Sequence, residues 1–128
     1  MNIIANMFQW GPEEMNTQVL DRKTFHEGQS VFEQGETGTS AYIIQDGEVQ
    51  IVKNADNEDT ILGSIGKGGI FGEMALVDDQ PRMARAEATM STTVIVISRE
   101  IFNQKLQKTD PFIRGLLNIF VDTIRHRN

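Results

Sequence analysis

The chain has no cysteine. Disulfides and thiolate–metal sites are therefore excluded, which fits a reducing, cytoplasmic setting. Its two histidines, His26 and His126, stand far apart in sequence. They form no cluster with metal-ligand spacing, so no metal and no cofactor is expected. No serine or cysteine nucleophile signature accompanies them, which argues against an enzyme. No apolar run approaches the ~18–20 residues that span a membrane. The first ten residues, Met1 to Trp10, carry no Lys or Arg and so lack the charged start of a signal peptide. Internal repeats, low-complexity runs and linkers are also missing.

What remains is one domain. Its 128 residues, 39% hydrophobic and 23% charged, suffice for a single core. The net charge of −6 is unevenly spread: residues 1–98 hold 6 basic and 15 acidic side chains, residues 99–128 hold 6 and 3. An acidic body is a poor wrapper of nucleic acid, where cationic contacts to phosphate dominate affinity. An anionic ligand would need a local exception, and Arg82 with Arg85 supplies one.

Residues 1–16 read as an N-terminal helix and turn: Ile3, Ile4, Met7, Phe8 and Trp10 have helical spacing, ended by Gly11-Pro12. Residues 17–98 read as β-rich. Ser30–Glu33 precedes a glycine-rich turn, Gln34–Gly38. Ala41–Gln45 and Glu48–Val52 flank Asp46-Gly47, a hairpin signal that would put Tyr42, Ile44, Val49 and Ile51 on one face. Asn54–Glu58 is a polar turn before Thr60–Leu62, and Thr92–Ile97 is a last β-branched strand. Turn signals about every 8–12 residues favour a sandwich or small barrel. From residue 99 to 128 the period is helical. Ser98 can cap a helix to about Lys108, and Asp110-Pro111 starts another. The second helix is apolar over about half its circumference, wider than the ~100° stripe of a plain surface helix. Ile113, Leu116, Leu117, Phe120 and Ile124 thus offer a face for a homodimer or a partner protein.

The chemistry concentrates in residues 68–85. Gly68-Gly69 enters this stretch, Gly72-Glu73-Met74-Ala75 can form a helical first turn, and Pro81-Arg82 leads out. Glycines permit close backbone approach, and a helix start leaves N–H groups unpaired. Arg82 adds a planar fork of donors suited to phosphate. Glu73 adds an acceptor that a sugar hydroxyl requires. A phosphorylated sugar, and hence a nucleotide, fits this set. Gly66-Lys67-Gly68-Gly69 matches neither a Walker loop nor a dinucleotide fingerprint and reads as a turn. Glu73 and Arg82 could also be a structural ion pair, and Asp78-Asp79 a solvated turn.

Phe71-Gly72-Glu73-Met74-Ala75-Leu76 followed by Pro81-Arg82-Met83-Ala84 resembles the phosphate-binding cassette of the cyclic nucleotide-binding domain family. Bacterial catabolite activators and the regulatory subunits of cAMP-dependent protein kinase share this fold. Gly28, Gly35-Glu36-Thr37-Gly38, Tyr42-Ile43-Ile44 and Gly47-Glu48-Val49 fall where that family places its turns and hairpin. The resemblance covers residues 22 to 98, with two trailing helices in family order. It implies a mainly β jelly-roll barrel with a short cassette helix and two C-terminal helices. It further implies a 3′,5′-cyclic nucleotide as ligand. Arg82 would pair with the cyclic phosphate, Glu73 would accept from the ribose 2′-hydroxyl, and amides of Gly72, Met74 or Ala75 and Met83 or Ala84 would complete the phosphate's bonds.

Two positions depart from the family pattern. Met83 stands where many members carry Ala, Ser or Thr. A hydroxyl there goes with cGMP, so Met83 points to cAMP. Arg85 stands where the kinase-type pattern has Thr. It is either a second phosphate cation or, by strand alternation, a solvent-facing side chain. The expected function is a regulatory cAMP sensor, and the alternative is a degenerate relative acting as an interaction or structural domain. Family members that regulate transcription carry a further DNA-binding domain, for which nothing after the helices leaves room in these 128 residues.

Overall fold

The structure is a computed structural model that describes residues 20–108 and 110–125. The expected helix in Met1–Trp10 lies outside the described residues, as do the side chains of Leu117, Phe120 and Ile124. Among the described residues eight strands come first: β1 (Asp21–Phe25), β2 (Ser30–Phe32), β3 (Ser40–Asp46), β4 (Val49–Ala55), β5 (Glu58–Ile65), β6 (Ile70–Phe71), β7 (Arg85–Ala88) and β8 (Thr92–Ser98). A 3₁₀ turn, Glu73–Leu76, lies between β6 and β7. Two helices follow, α1 (Arg99–Lys108) and α2 (Pro111–Arg125).

The strands form two antiparallel four-stranded sheets, ordered β1-β8-β3-β6 and β2-β7-β4-β5. The jelly-roll architecture expected from the sequence is present, but the barrel does not close: no pairing joins the two sheets among the described residues. Their inner faces bury one cluster, Phe32, Val49 and Ala86 from one sheet against Ile44, Phe71 and Val94 from the other. Each large side chain so buried stabilises the fold by roughly 1.5–3 kcal/mol.

The Asp46-Gly47 hairpin is corrected by this topology. β3 and β4 belong to different sheets, because β3 is already flanked by β8 and β6, and β4 by β7 and β5. Only Gly47 of the pair has positive φ, at 106°. The chain crosses between sheets there, pinned by the Glu48 N–H donating to the buried Thr92 Oγ1 at 3.1 Å. Ile44 and Val49 nevertheless reach the same core. The true two-residue hairpin joins β4 to β5. Asp56 and Asn57, with φ of 54° and 64°, supply the two positive angles that such a turn requires. Gly66–Gly69 is a turn, fastened to β3 through Ile44.

Both helix starts follow from local chemistry. The Ile101 N–H donates to Ser98 Oγ at 3.1 Å, and the Phe112 N–H donates to Asp110 Oδ1 at 2.8 Å. α1 packs through buried Phe102 onto Leu76, Ile70, Ala41 and Ile97. One face of the 3₁₀ turn therefore rests on the first helix. Along α2, Ile113 and Leu116 are half-buried, whereas Phe112 and Ile119 are exposed. No helix among the described residues is long and apolar enough to cross a membrane.

Candidate ligand site

A cavity of about 820 Å³ opens beside the 3₁₀ turn. Phe32, Ile51, Leu62 and Ile65 of the second sheet wall it, with Ile70 and Phe71 of β6. Gly72, Glu73, Met74, Ala75, Asp78, Gln80, Pro81, Arg82, Met83 and Ala84 close the rest. Seven of the eight residues named from the sequence thus meet at one cavity. The eighth, Arg85, does not. Its guanidinium binds Asp59 at 2.9 Å and Glu87 at 3.0 Å, tying β7 to β5. Those carboxylates raise its pKa further. As a second phosphate cation it is already occupied.

Arg82 is the centre of the site. Its Nη1 donates to the Gly72 carbonyl at 3.0 Å and its Nη2 to the Ser40 carbonyl at 2.8 Å. The guanidinium carbon lies 4.2 Å from the centroid of the Phe32 ring. Phe32, Tyr42 and Phe71 form an aromatic cluster, with centroids 5.4–6.0 Å apart. Backbone bonds fix the position of the Arg82 residue: Gly35 N–H donates to its carbonyl at 2.7 Å, and its own N–H donates to the Glu36 carbonyl at 2.8 Å. The glycine-rich turn and the cassette exit, distant in sequence, are clamped together here.

Burial lowers the pKa of Arg82, opposed by Tyr42 and Glu36 nearby. A guanidinium stays charged throughout. Its Nε is buried and has no partner among the described residues. Nor does it form an ion pair with Glu73, so the structural-pair alternative does not hold. A partly desolvated cation with free donors is costly unless an anion completes it. Burial also raises the pKa of Tyr42, against the pull of Arg82.

Gly72 makes this arrangement possible. It adopts φ of 71°, and a Cβ there would stand 3.0 Å from both Arg82 Nη1 and Phe32 Cε2. The 3₁₀ turn that follows is short, and its Ala75 N–H donates back to Gly72 at 3.3 Å. Glu73 starts the turn with its carboxylate uncommitted to any cap. Met83 does not fill the cavity: it is 75% exposed.

Sequence reasoning missed Arg99. This first residue of α1 holds the back of the cassette, donating to the carbonyls of Ala75 and Asp78 and pairing with Asp79 at 3.0 Å. Asp79 stays solvated, its side chain 86% exposed, while it makes this pair. Leu62 was also unmarked. No local signal announces either contact, since their partners lie many residues away. No group of three His, Asp or Glu among the described residues could hold a metal ion.

The model of the cyclic nucleotide-binding domain matches residues 22–109. The cAMP-dependent protein kinase regulatory subunit of Debaryomyces hansenii is 32% identical over 87 residues, 68% of this chain and 19% of that protein. The cyclic AMP receptor protein of Thermus thermophilus is 30% identical over 92 residues, 70% of this chain and 43% of that protein. The chain therefore spans less than half the length of these relatives. Among solved structures, the half-site-occupied form of the EAL enzyme Bd1971 superposes with a TM-score of 0.79 at 30% identity, covering 84% of this chain and 96% of that one. The match spans the strands, the cassette and α1, and the chain belongs to the cyclic nucleotide-binding domain family.

Proposed function

We propose that the chain binds a 3′,5′-cyclic nucleotide, preferring cAMP to cGMP, and serves as a regulatory sensor module rather than an enzyme. The observation that carries this reading is Arg82, a partly buried cation held on two backbone carbonyls with its Nε unpartnered among the described residues. Among the described residues two of its five N–H donors are spent, and the remaining three suit a cyclic phosphodiester. Glu73, on the same cavity, would accept from the ribose 2′-hydroxyl. Backbone N–H groups of Gly72, Met74 or Ala75 and Met83 or Ala84 would complete the phosphate's bonds. The relatives support the ligand class, since Bd1971 has a cAMP-bound and a cGMP-bound form, both 30% identical to this chain.

A degenerate, non-sensing relative is the competing reading. It needs the cavity filled, and the exposure of Met83 speaks against it. As a sensor, the domain would report through α1 and α2, in a cytoplasmic setting. Homodimer or partner contact through Ile113, Leu116, Leu117, Phe120 and Ile124 belongs to the same proposal. Sedimentation with and without cAMP tests that part.

Isothermal titration with cAMP and cGMP tests the ligand. Binding should be lost by several hundredfold or more in Arg82→Gln, on the order of 3–5 kcal/mol for an orphaned buried charge. Absence of binding at millimolar nucleotide, with Arg82→Gln indistinguishable from the wild type, would sink the proposal.

A further inference from the structure

Residues 33–40 hold Arg82 from one side. Gly35 and Glu36 hydrogen-bond its C=O and its N–H through their own backbone. Ser40 accepts from its guanidinium. Gly38 lies so close behind that a Cβ there would stand 2.9 Å from Nη2. The Glu33 N–H donates to Glu36 Oε2 at 2.9 Å, which closes the turn on itself. The cation is therefore only as well placed as this turn, and a glycine-rich surface turn is pliable unless something fastens it.

Gln34 fastens it, by a pairing that stands in for a strand. β7 ends at Arg85, opposite Val52 of β4. Further along β4, no strand pairs on that side among the described residues. Ala55 and Glu58 close the β4–β5 hairpin, so Asn54, in the next pair, turns its N–H and C=O away from β5. The Gln34 side chain takes both. Its Oε1 accepts from the Asn54 N–H at 2.7 Å, and its Nε2 donates to the Asn54 C=O at 2.9 Å. Asn54 is a junction as well: its Nδ2 donates to Asp59 Oδ1 at 2.9 Å, and Asp59 holds Arg85 at the start of β7. Arg82, through the turn, and Arg85, through Asp59, are thus both tied to one residue of β4. Gln34 itself does not line the cavity.

We infer that Gln34 is a positioning residue for the phosphate-binding Arg82 of the reading above, on which this inference rests: its amide locks the glycine-rich turn to β4, and the turn sets the guanidinium. An amide suits the task because it carries an acceptor and a donor side by side, the pair that a neighbouring strand would present. Two bonds to one residue fix direction as well as distance. A charged donor aimed at an anion needs both. Without the amide the turn keeps its bonds to Arg82 but loses its tie to β4, so turn and guanidinium shift together.

The test is titration of the wild-type chain and Gln34→Met with cAMP, repeated with Gln34→Met added to Arg82→Lys and to Glu73→Gln. Methionine matches the length of glutamine and makes neither bond, and urea unfolding checks that the variant is folded. Gln34→Met should weaken cAMP by roughly 3–30-fold, less than the hundredfold that a full ångström of misplacement can cost. The penalty should shrink to within about twofold in the Arg82→Lys background, where no fork remains to be positioned. It should persist undiminished in the Glu73→Gln background. A merely structural role would cost the same factor in every background. An equal penalty in both backgrounds, or unchanged cAMP affinity in Gln34→Met, overturns the inference, and the cyclic-nucleotide reading survives either result. If cAMP does not bind the wild-type chain, that reading falls and this inference with it.

Discussion

Arg99 grips the carbonyl of Ala75 twice, from Nε at 3.2 Å and from Nη2 at 2.7 Å. The same guanidinium reaches the Asp78 carbonyl at 2.8 Å, so the last turn of the cassette hangs on the first residue of α1. Ala75 is buried, and its carbonyl would have no other described donor. Arg99→Met should therefore destabilise the domain by about 1–3 kcal/mol, the cost of orphaning acceptors of charged donors. Urea unfolding measures it. A midpoint equal to wild type would show that the grip contributes nothing.

Arg82→Lys separates charge from geometry. Lysine keeps the cation but lacks the fork that spans the carbonyls of Gly72 and Ser40 while leaving donors free. We expect cAMP affinity to fall by about tenfold or more, one lost charged hydrogen bond at the least. An unchanged dissociation constant would mean that a point charge suffices.

Gly38→Ala probes the same side chain from behind. A Cβ at Gly38 would stand 2.9 Å from Arg82 Nη2, the far end of a flexible side chain that can yield. Stability should change by less than about 1 kcal/mol, while nucleotide affinity drops because the guanidinium is displaced. Equal affinity in the two proteins would rule out this tight placement of Arg82.

The pairing of Arg85 with Asp59 has a pH signature. Hydrogen bonds from Arg85 and Asn54 hold the Asp59 carboxyl below its usual range. A depressed folded pKa contributes stability above the unfolded pKa, roughly 3.9, and that contribution fades as pH falls through the folded value. The Asp59→Asn variant should thus be slightly less stable than wild type at neutral pH and equal to it once the carboxyl is protonated. The effect is small because the aspartate is half-exposed. Urea midpoints at pH 7 and in strong acid decide it: a gap that persists in acid refutes the charge-based account.

The cassette was readable because its chemistry is local. Gly72, Glu73 and Arg82 sit within one short stretch whose glycines and motif spacing can be inspected directly. The helix starts at Ser98 and Asp110 were equally readable, since a cap joins a side chain to an amide two or three residues on. Asp46-Gly47 misled for the opposite reason. A turn signal tells where the chain bends, and the assignment of β3 and β4 to separate sheets depends on strands far away in sequence.

Composition, turn glycines, capping residues and the cassette motif by themselves determined a strand-rich domain, two C-terminal helices and the residues gathered at one anion-binding stretch. Tertiary structure decided what each charged side chain is free to do. It committed Arg85 to Asp59 and Glu87, drew Arg99 to the back of the cassette, and left Arg82 with an Nε unpartnered among the described residues. It also turned Leu62 into the cavity through a bulge that exists only when β5 pairs with β4. The reason is the range of the interactions. Turns and caps are settled between near neighbours, whereas the partner of a long cationic side chain, or the register of a strand, is set by whatever the folded chain brings within a few ångströms.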